Sequence, residues 1–179
     1  YYGLTDVLRR VSRKSKIEFD LTNTVLLMLL ERLQDPSSKR ANFLNQEEYV
    51  NLPKVELHHL YRALDKLDAN SNLIQKQIFQ TGRDLFNSTL DVVFYDVTTF
   101  YFESEVVKQD ELRQLGFGKD GKIGHTQILF SMLIDKDKNP VGYRIYSGNT
   151  YEGDTFATAL DDIKKENEIK KVIVVADRG

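Results

Sequence analysis

The chain has no cysteine. Disulfides, zinc–thiolate knuckles, iron–sulfur clusters and cysteine nucleophiles are therefore excluded. Long apolar runs are missing too. The longest, Val25–Leu30, falls far short of the roughly 20 residues that a membrane span needs. No signal peptide is visible, so no membrane partner and a cytoplasmic location are expected. No G-x-x-x-x-G-K-[ST] phosphate loop occurs. Internal repeats and low-complexity tracts are absent. An excess of one charge is also lacking, because 25 basic and 27 acidic side chains leave a formal net charge of −2. Residues 1–88 hold 13 Lys/Arg against 11 Asp/Glu, and residues 89–179 hold 12 against 16. Neither half shows the clear basic excess of a typical DNA-binding domain. That balance argues against nonspecific coating of DNA. The acidic half suits a site that gathers carboxylates around divalent cations.

What is present describes a soluble globular protein. Hydrophobic residues make up 41% and charged residues 29% of 179 residues, which excludes wholesale disorder and allows one ordinary domain or two small ones. The chain starts at Tyr1 and stops at Gly179, directly after a strand-like run. It reads as a piece of something longer.

Residues 1–88 read as an all-α module. Leu4, Val7, Leu8 and Val11 recur at helical spacing, and Thr22–Leu33 is rich in leucine. Asp35-Pro36-Ser37-Ser38 stops that helix, since proline cannot extend it. Val55, Leu57, Leu60, Tyr61, Leu64 and Leu67 form another buried stripe, interrupted at Ala69–Asn72.

The texture changes near Leu90. Leu90–Val97 is a β-branched and aromatic run, residues 104–124 read as a polar, glycine-rich loop, and Thr126–Ile134 and Val141–Tyr146 read as strands. Asp135–Pro140 reads as the hairpin turn between them, and Asp154 as the N-cap of a helix with Phe156, Ala159, Leu160 and Ile163 inward. Lys171–Ala176 is apolar on both faces, which predicts a central strand. Residues 89–179 are thus expected to form an α/β unit: three antiparallel strands, a crossover helix, then a parallel strand in the usual right-handed sense.

Two acids end apolar strands: Asp96 after Val92–Tyr95, and Asp177 after Val172–Ala176. If those strands are parallel neighbours, both carboxylates emerge at the edge where open α/β sheets place ligands. Two close carboxylates repel, so one takes a proton or a cation sits between them. Two Mg²⁺ or Mn²⁺ ions about 4 Å apart would suit phosphodiester chemistry. Aspartate also caps strands and starts turns without any function.

The stretch Tyr95-Asp96-Val97-Thr98-Thr99-Phe100-Tyr101-Phe102-Glu103 resembles the first catalytic motif of DDE-class insertion-sequence transposases. Gly148-Asn149-Thr150-Tyr151-Glu152-Gly153-Asp154-Thr155 resembles that family's G-N-x-x-E-x-x-T segment, and Val174–Gly179 its second acidic motif. Glu31-Arg32-Leu33 with Pro36-Ser37-Ser38-Lys39 resembles its N-terminal helical region. The resemblance implies a ribonuclease H-like core with Asp96 and Asp177 as catalytic, metal-binding acids. It implies metal-dependent cleavage and strand transfer at transposon ends, with transposon and target DNA as partners, a homodimer on DNA and a bacterial, nucleoid-associated setting. The family's third acid, a Glu on a later helix, would lie beyond Gly179, so this fragment alone is expected to be inactive. Thr98, Asn149, Glu152 and Arg178 become neighbours of the site, although strand, turn and helix-end preferences also explain the first three. Lys119 and Lys122 become DNA contacts, against the commoner reading of solvated loop lysines.

Other residues carry weaker signals. His58 and His59 diverge by about 100° on a helix and cannot chelate one metal together, while His125 reads as structural. Phe94, Tyr95, Phe100, Tyr101 and Phe102 could stack on bases, but alternation in a sheet favours packing. Glu103 and Glu105 are expected to face solvent. The competing reading is a non-catalytic DNA-binding or assembly fragment, or a transposase remnant. A phosphatase with a nucleophilic Asp is disfavoured, because Thr98 stands where D-x-D-x-T needs its second Asp.

Overall fold

A computed structural model describes residues 3–86, 92–103, 111–116, 125–167 and 173–176. The chain divides into two compact units, residues 1–81 and 82–179.

The first unit is helical. Helices α1 (Leu4–Lys14), α2 (Leu21–Gln34), α3 (Lys39–Asn45) and α4 (Leu57–Ala69) follow in order, with a 3₁₀ turn at Gln46–Glu48, and α5 (Ser71–Phe86) begins in this unit and runs past its boundary at residue 81. Helices α1, α3 and α4 all pack on α2, whose Leu21, Val25, Leu27 and Met28 are buried while Leu29, Leu30 and Leu33 are exposed. Leu8, Val11, Leu21, Leu27 and Leu60 form the dry centre of this core. The Asp20 carboxylate caps α2 by accepting from the Asn23 N–H at 3.0 Å. Ser38 caps α3 by accepting from the Ala41 N–H at 3.2 Å. The α2 helix ends at Gln34, just before Pro36, as the proline predicts.

A charged residue lies inside this core. Glu31 falls on the buried stripe of α2 with Thr24, Leu27 and Met28 and is only 3% exposed. Its carboxylate accepts from Tyr49 Oη at 2.9 Å, Asn42 Nδ2 at 3.0 Å, Asn45 Nδ2 at 3.2 Å and Ser37 Oγ at 3.3 Å. Burial pushes the Glu31 carboxyl up, but these donors outweigh it and hold the group below its ordinary value. One buried anion thus ties α2 to α3 and to the turn beyond it.

The second unit contains β1 (Val92–Phe102), β2 (Gln114–Leu115), β3 (Thr126–Asp135), β4 (Pro140–Ser147), α6 (Glu152–Asn167) and β5 (Ile173–Ala176). Strands β1, β3 and β4 form an antiparallel meander, and β5 lies parallel to β1. Asp135 clamps the β3–β4 turn by accepting from the Asp137 and Asn139 N–H groups at 2.9 and 2.8 Å. One face of the sheet carries Val93, Tyr95, Leu129 and Leu133, all buried, with α6 over it. The opposite face exposes Phe94, Asp96, Thr98, Phe100 and Met132.

Four features differ from the sequence reading. First, β1 does not stop near Asp96: it runs six residues further, because β3 pairs with it from Val93 to Phe102. Second, the stretch read as a loop contains β2, which pairs with Gln127 and Thr126 of β3. Two residues are too few to show any periodicity. Third, β5 is the outermost of the described strands rather than a central one, and Ile173 and Val175 are 62% and 46% exposed. Fourth, Asp154 is not an N-cap. The α6 helix begins at Glu152, and the Asp154 N–H already bonds the Tyr151 carbonyl at 3.0 Å.

Candidate functional site

Asp96 sits in the middle of β1, opposite Met132 of β3. Side chains alternate along a strand, so Asp96 shares its face with Phe94, Thr98 and Phe100. All four are exposed. Its carboxylate makes no hydrogen bond or ion pair among the described residues. An open, unengaged carboxylate in an apolar surround is a hard oxygen ligand with free coordination capacity. Among the described residues no group of three or more His, Asp or Glu side chains could hold a metal ion.

The parallel pairing of β1 with β5 bears most directly on Asp96. Its register runs Val92 with Ile173, Val93 with Val174, Phe94 with Val175 and Tyr95 with Ala176. The last pair consists of the residues that immediately precede Asp96 and Asp177. Asp177, Arg178, Lys119, Lys122 and Glu105 lie outside the described residues.

The other expected neighbours fall elsewhere. Asn149 and Glu152 follow β4, whose last residue, Ser147, pairs with Ile128 and so lies level with Phe100. That level is four residues beyond Asp96, about 13 Å along a strand. Asn149 is exposed and accepts from Ser147 Oγ at 2.7 Å. Glu152 opens α6, and its carbonyl accepts from Thr155 Oγ1 at 2.6 Å. Among the described residues, Thr98 is the one expected neighbour on the Asp96 face.

Two buried hydroxyls connect this region. Thr155 is 1% exposed. Its hydroxyl proton goes to Glu152, so Tyr95 Oη donates to Thr155 Oγ1 at 2.5 Å. Tyr146 Oη donates to the Thr155 carbonyl at 3.1 Å, and Phe156 packs edge-on against the Tyr95 ring at 5.3 Å. The start of α6 is thereby fixed to β1 from beneath, one residue before Asp96. Gly148 has a steric role: a Cβ there would lie 2.0 Å from the Gln127 carbonyl oxygen. Tyr95 and Thr155 are 60 residues apart, and only a tyrosine on an inward strand position hints at a buried partner.

The aromatic expectation divides. Tyr95 is buried, whereas Phe94 and Phe100 are exposed. Phe100, Phe130 and Tyr143 form a ladder across three strands, with centroids 5.9 and 5.7 Å apart. Glu103 is exposed, as expected, and so is His125. The His58 and His59 rings do not diverge: their centroids are 4.1 Å apart, with His59 stacked on Phe19 at 4.7 Å. Burial, with the neighbouring His58 and Arg62 charges, holds His59 below its ordinary pKa. No helix among the described residues is long and apolar enough to cross a membrane. No family model matches the chain, and no curated protein or solved structure matches it either.

Proposed function

We propose that this chain belongs to a DNA transposase of the DDE class, with a ribonuclease H-like core in which Asp96 and Asp177 jointly hold Mg²⁺ or Mn²⁺. The observation that carries the reading is the β1–β5 register, which ends on the pair Tyr95–Ala176. Continued by one residue, that register would set Asp96 beside Asp177. The unengaged Asp96 carboxylate fits a hard divalent cation, and strand order β4-β3-β1-β5 fits the expected core. A cation bound there would polarise a phosphate oxygen and stabilise charge on the attacking and leaving oxygens.

The chain's own contribution is geometric. The Tyr95–Thr155 hydrogen bond fixes β1 against α6, so the Asp96 backbone is held before a ligand arrives. A carboxylate set on a paired strand loses little freedom on binding, which favours precise positioning of a phosphodiester.

Titrating Mn²⁺ into the full chain, with free ion followed by electron paramagnetic resonance, tests this. Asp96→Asn and Asp177→Asn should each weaken binding at least several-fold, and the double variant should add little. Equal binding by all four proteins would overturn the reading.

A further inference from the structure

The densest positive charge in the chain lies in the helical unit and is averaged away in the half-chain totals. Arg9, Arg10, Arg13, Lys14 and Lys16 are five of the chain's 25 basic residues, within eight positions. All five are exposed. Helix α1 buries Val7, Leu8 and Val11, so its apolar stripe is used by the core and its basic side is left to solvent.

Beside that side lies a cleft of about 410 Å³ between α1 and the beginning of α2. Thr5, Arg9, Ser12 and Arg13 line one wall and Thr22 the other. Positions 5, 9, 12 and 13 form one helical stripe. Arg13 makes no ion pair among the described residues, and Arg9 has only a loose, exposed contact with Asp6 at 3.7 Å. The hydroxyls of Thr5, Ser12 and Thr22 have no hydrogen-bond partner among the described residues. Asp20 also borders the cleft, but its carboxylate is taken up by the Asn23 backbone and side-chain amides.

We propose that this cleft seats the phosphate backbone of duplex DNA. This rests on the reading of the chain as a DNA-processing protein and assigns the helical unit a holding role apart from Asp96. Arginine forks grip phosphate oxygens bidentately, and serine and threonine hydroxyls complete such contacts. Arg9 and Arg13 are about 6 Å apart along the helix axis, comparable to neighbouring phosphates on one strand. Arg10, Lys14 and Lys16 continue the positive surface. A membrane surface fits poorly, because an interfacial helix needs a free apolar face and that of α1 is buried. Lys16 is notable for its backbone: at φ 48° it occupies a left-handed position that favours glycine, yet it carries a charge.

The test is fluorescence anisotropy of a labelled duplex with the full chain, between about 50 and 200 mM salt. Arg9→Gln/Arg13→Gln should weaken binding about tenfold or more and lower the log–log salt slope by about 2. Arg62→Gln/Lys136→Gln, which removes the same charge elsewhere, should have a much smaller effect. Lys16→Gly should preserve or raise the melting temperature while lowering the slope by about 1, separating lost contact from lost fold. Equal losses for the two double variants would overturn the proposal, as would preference for single-stranded RNA or for mixed phosphatidylcholine–phosphatidylserine vesicles. If Asp96→Asn leaves Mn²⁺ binding unchanged while Arg9→Gln/Arg13→Gln still weakens duplex binding, the metal reading fails and the cleft stands.

Discussion

The two faces of the sheet in residues 82–179 are built from alternate residues of the same strands, yet they are used differently. Beneath α6, Tyr95, Leu129, Leu133 and Thr155 are closed off from water, and the Tyr95 and Thr155 hydroxyls are hydrogen-bonded. On the other side Phe94, Phe100, Met132 and Ile145 are exposed around a carboxylate with nothing attached to it. The covered face is packed and hydrogen-bonded, and the open face carries the unengaged carboxylate. Glu31 shows the contrast in the helical unit, since there a carboxylate has been drawn inside and fully engaged.

Substitutions can break this comparison, beginning with the largest effect. Leu133→Ala, at a fully buried position, should cost about 2–5 kcal/mol in urea unfolding, whereas Met132→Ala on the open face should cost far less. Equal costs would mean that the open face is as tightly packed as the covered one. Glu31→Gln turns one acceptor into a donor facing the Asn42 and Asn45 amides, and should cost about 1–3 kcal/mol. Because the folded carboxyl lies below its ordinary value of 4.5, its stabilisation is complete above that pH. It is lost as pH falls through the lower folded value. The parent should therefore lose more stability below about pH 4.5 than Glu31→Gln does, in melts recorded across that range.

Thr155→Val leaves the Tyr95 hydroxyl buried without its acceptor and should cost about 1–2 kcal/mol. Adding Tyr95→Phe should then cost less than the two single changes summed, as a double-mutant cycle would show. Asp96→Asn should fall within about 0.5 kcal/mol of the parent, since the side chain is exposed and holds nothing. A large destabilisation there would make Asp96 a structural residue and remove the contrast between the faces.

Periodicity made most of the fold legible. The stripe Leu4, Val7, Leu8, Val11 and the runs at 92–97, 126–134 and 141–146 all form the element types they suggest. The parallel placement of the last strand followed from a helix intervening before it. Pairing partners were less legible, because alternation gives a residue's face but not its neighbour across the sheet. Asp96 therefore read as a strand end, although β3 carries β1 on to Phe102. The Tyr95–Thr155 link spans 60 residues and leaves no local pattern. Glu31 did leave one: an acid at the i+7 position of a buried stripe needs partners, and Ser37, Asn42, Asn45 and Tyr49 supply them. The cluster at Arg9–Lys16 was visible too, but summing charge over half the chain diluted it.

Gly148 sets how much variation the region around α6 can absorb. The backbone there passes so close to the Gln127 and Gln114 carbonyls that even a methyl group would collide with both, at 2.0 and 2.6 Å. No rotamer choice relieves a clash that begins at Cβ, so alanine is as badly tolerated as a large residue. Any replacement must move this corner of the backbone away from the β2 and β3 carbonyls. A library of substitutions should therefore show position 148 as a sharp minimum between more permissive neighbours, because the limit is space and not chemistry.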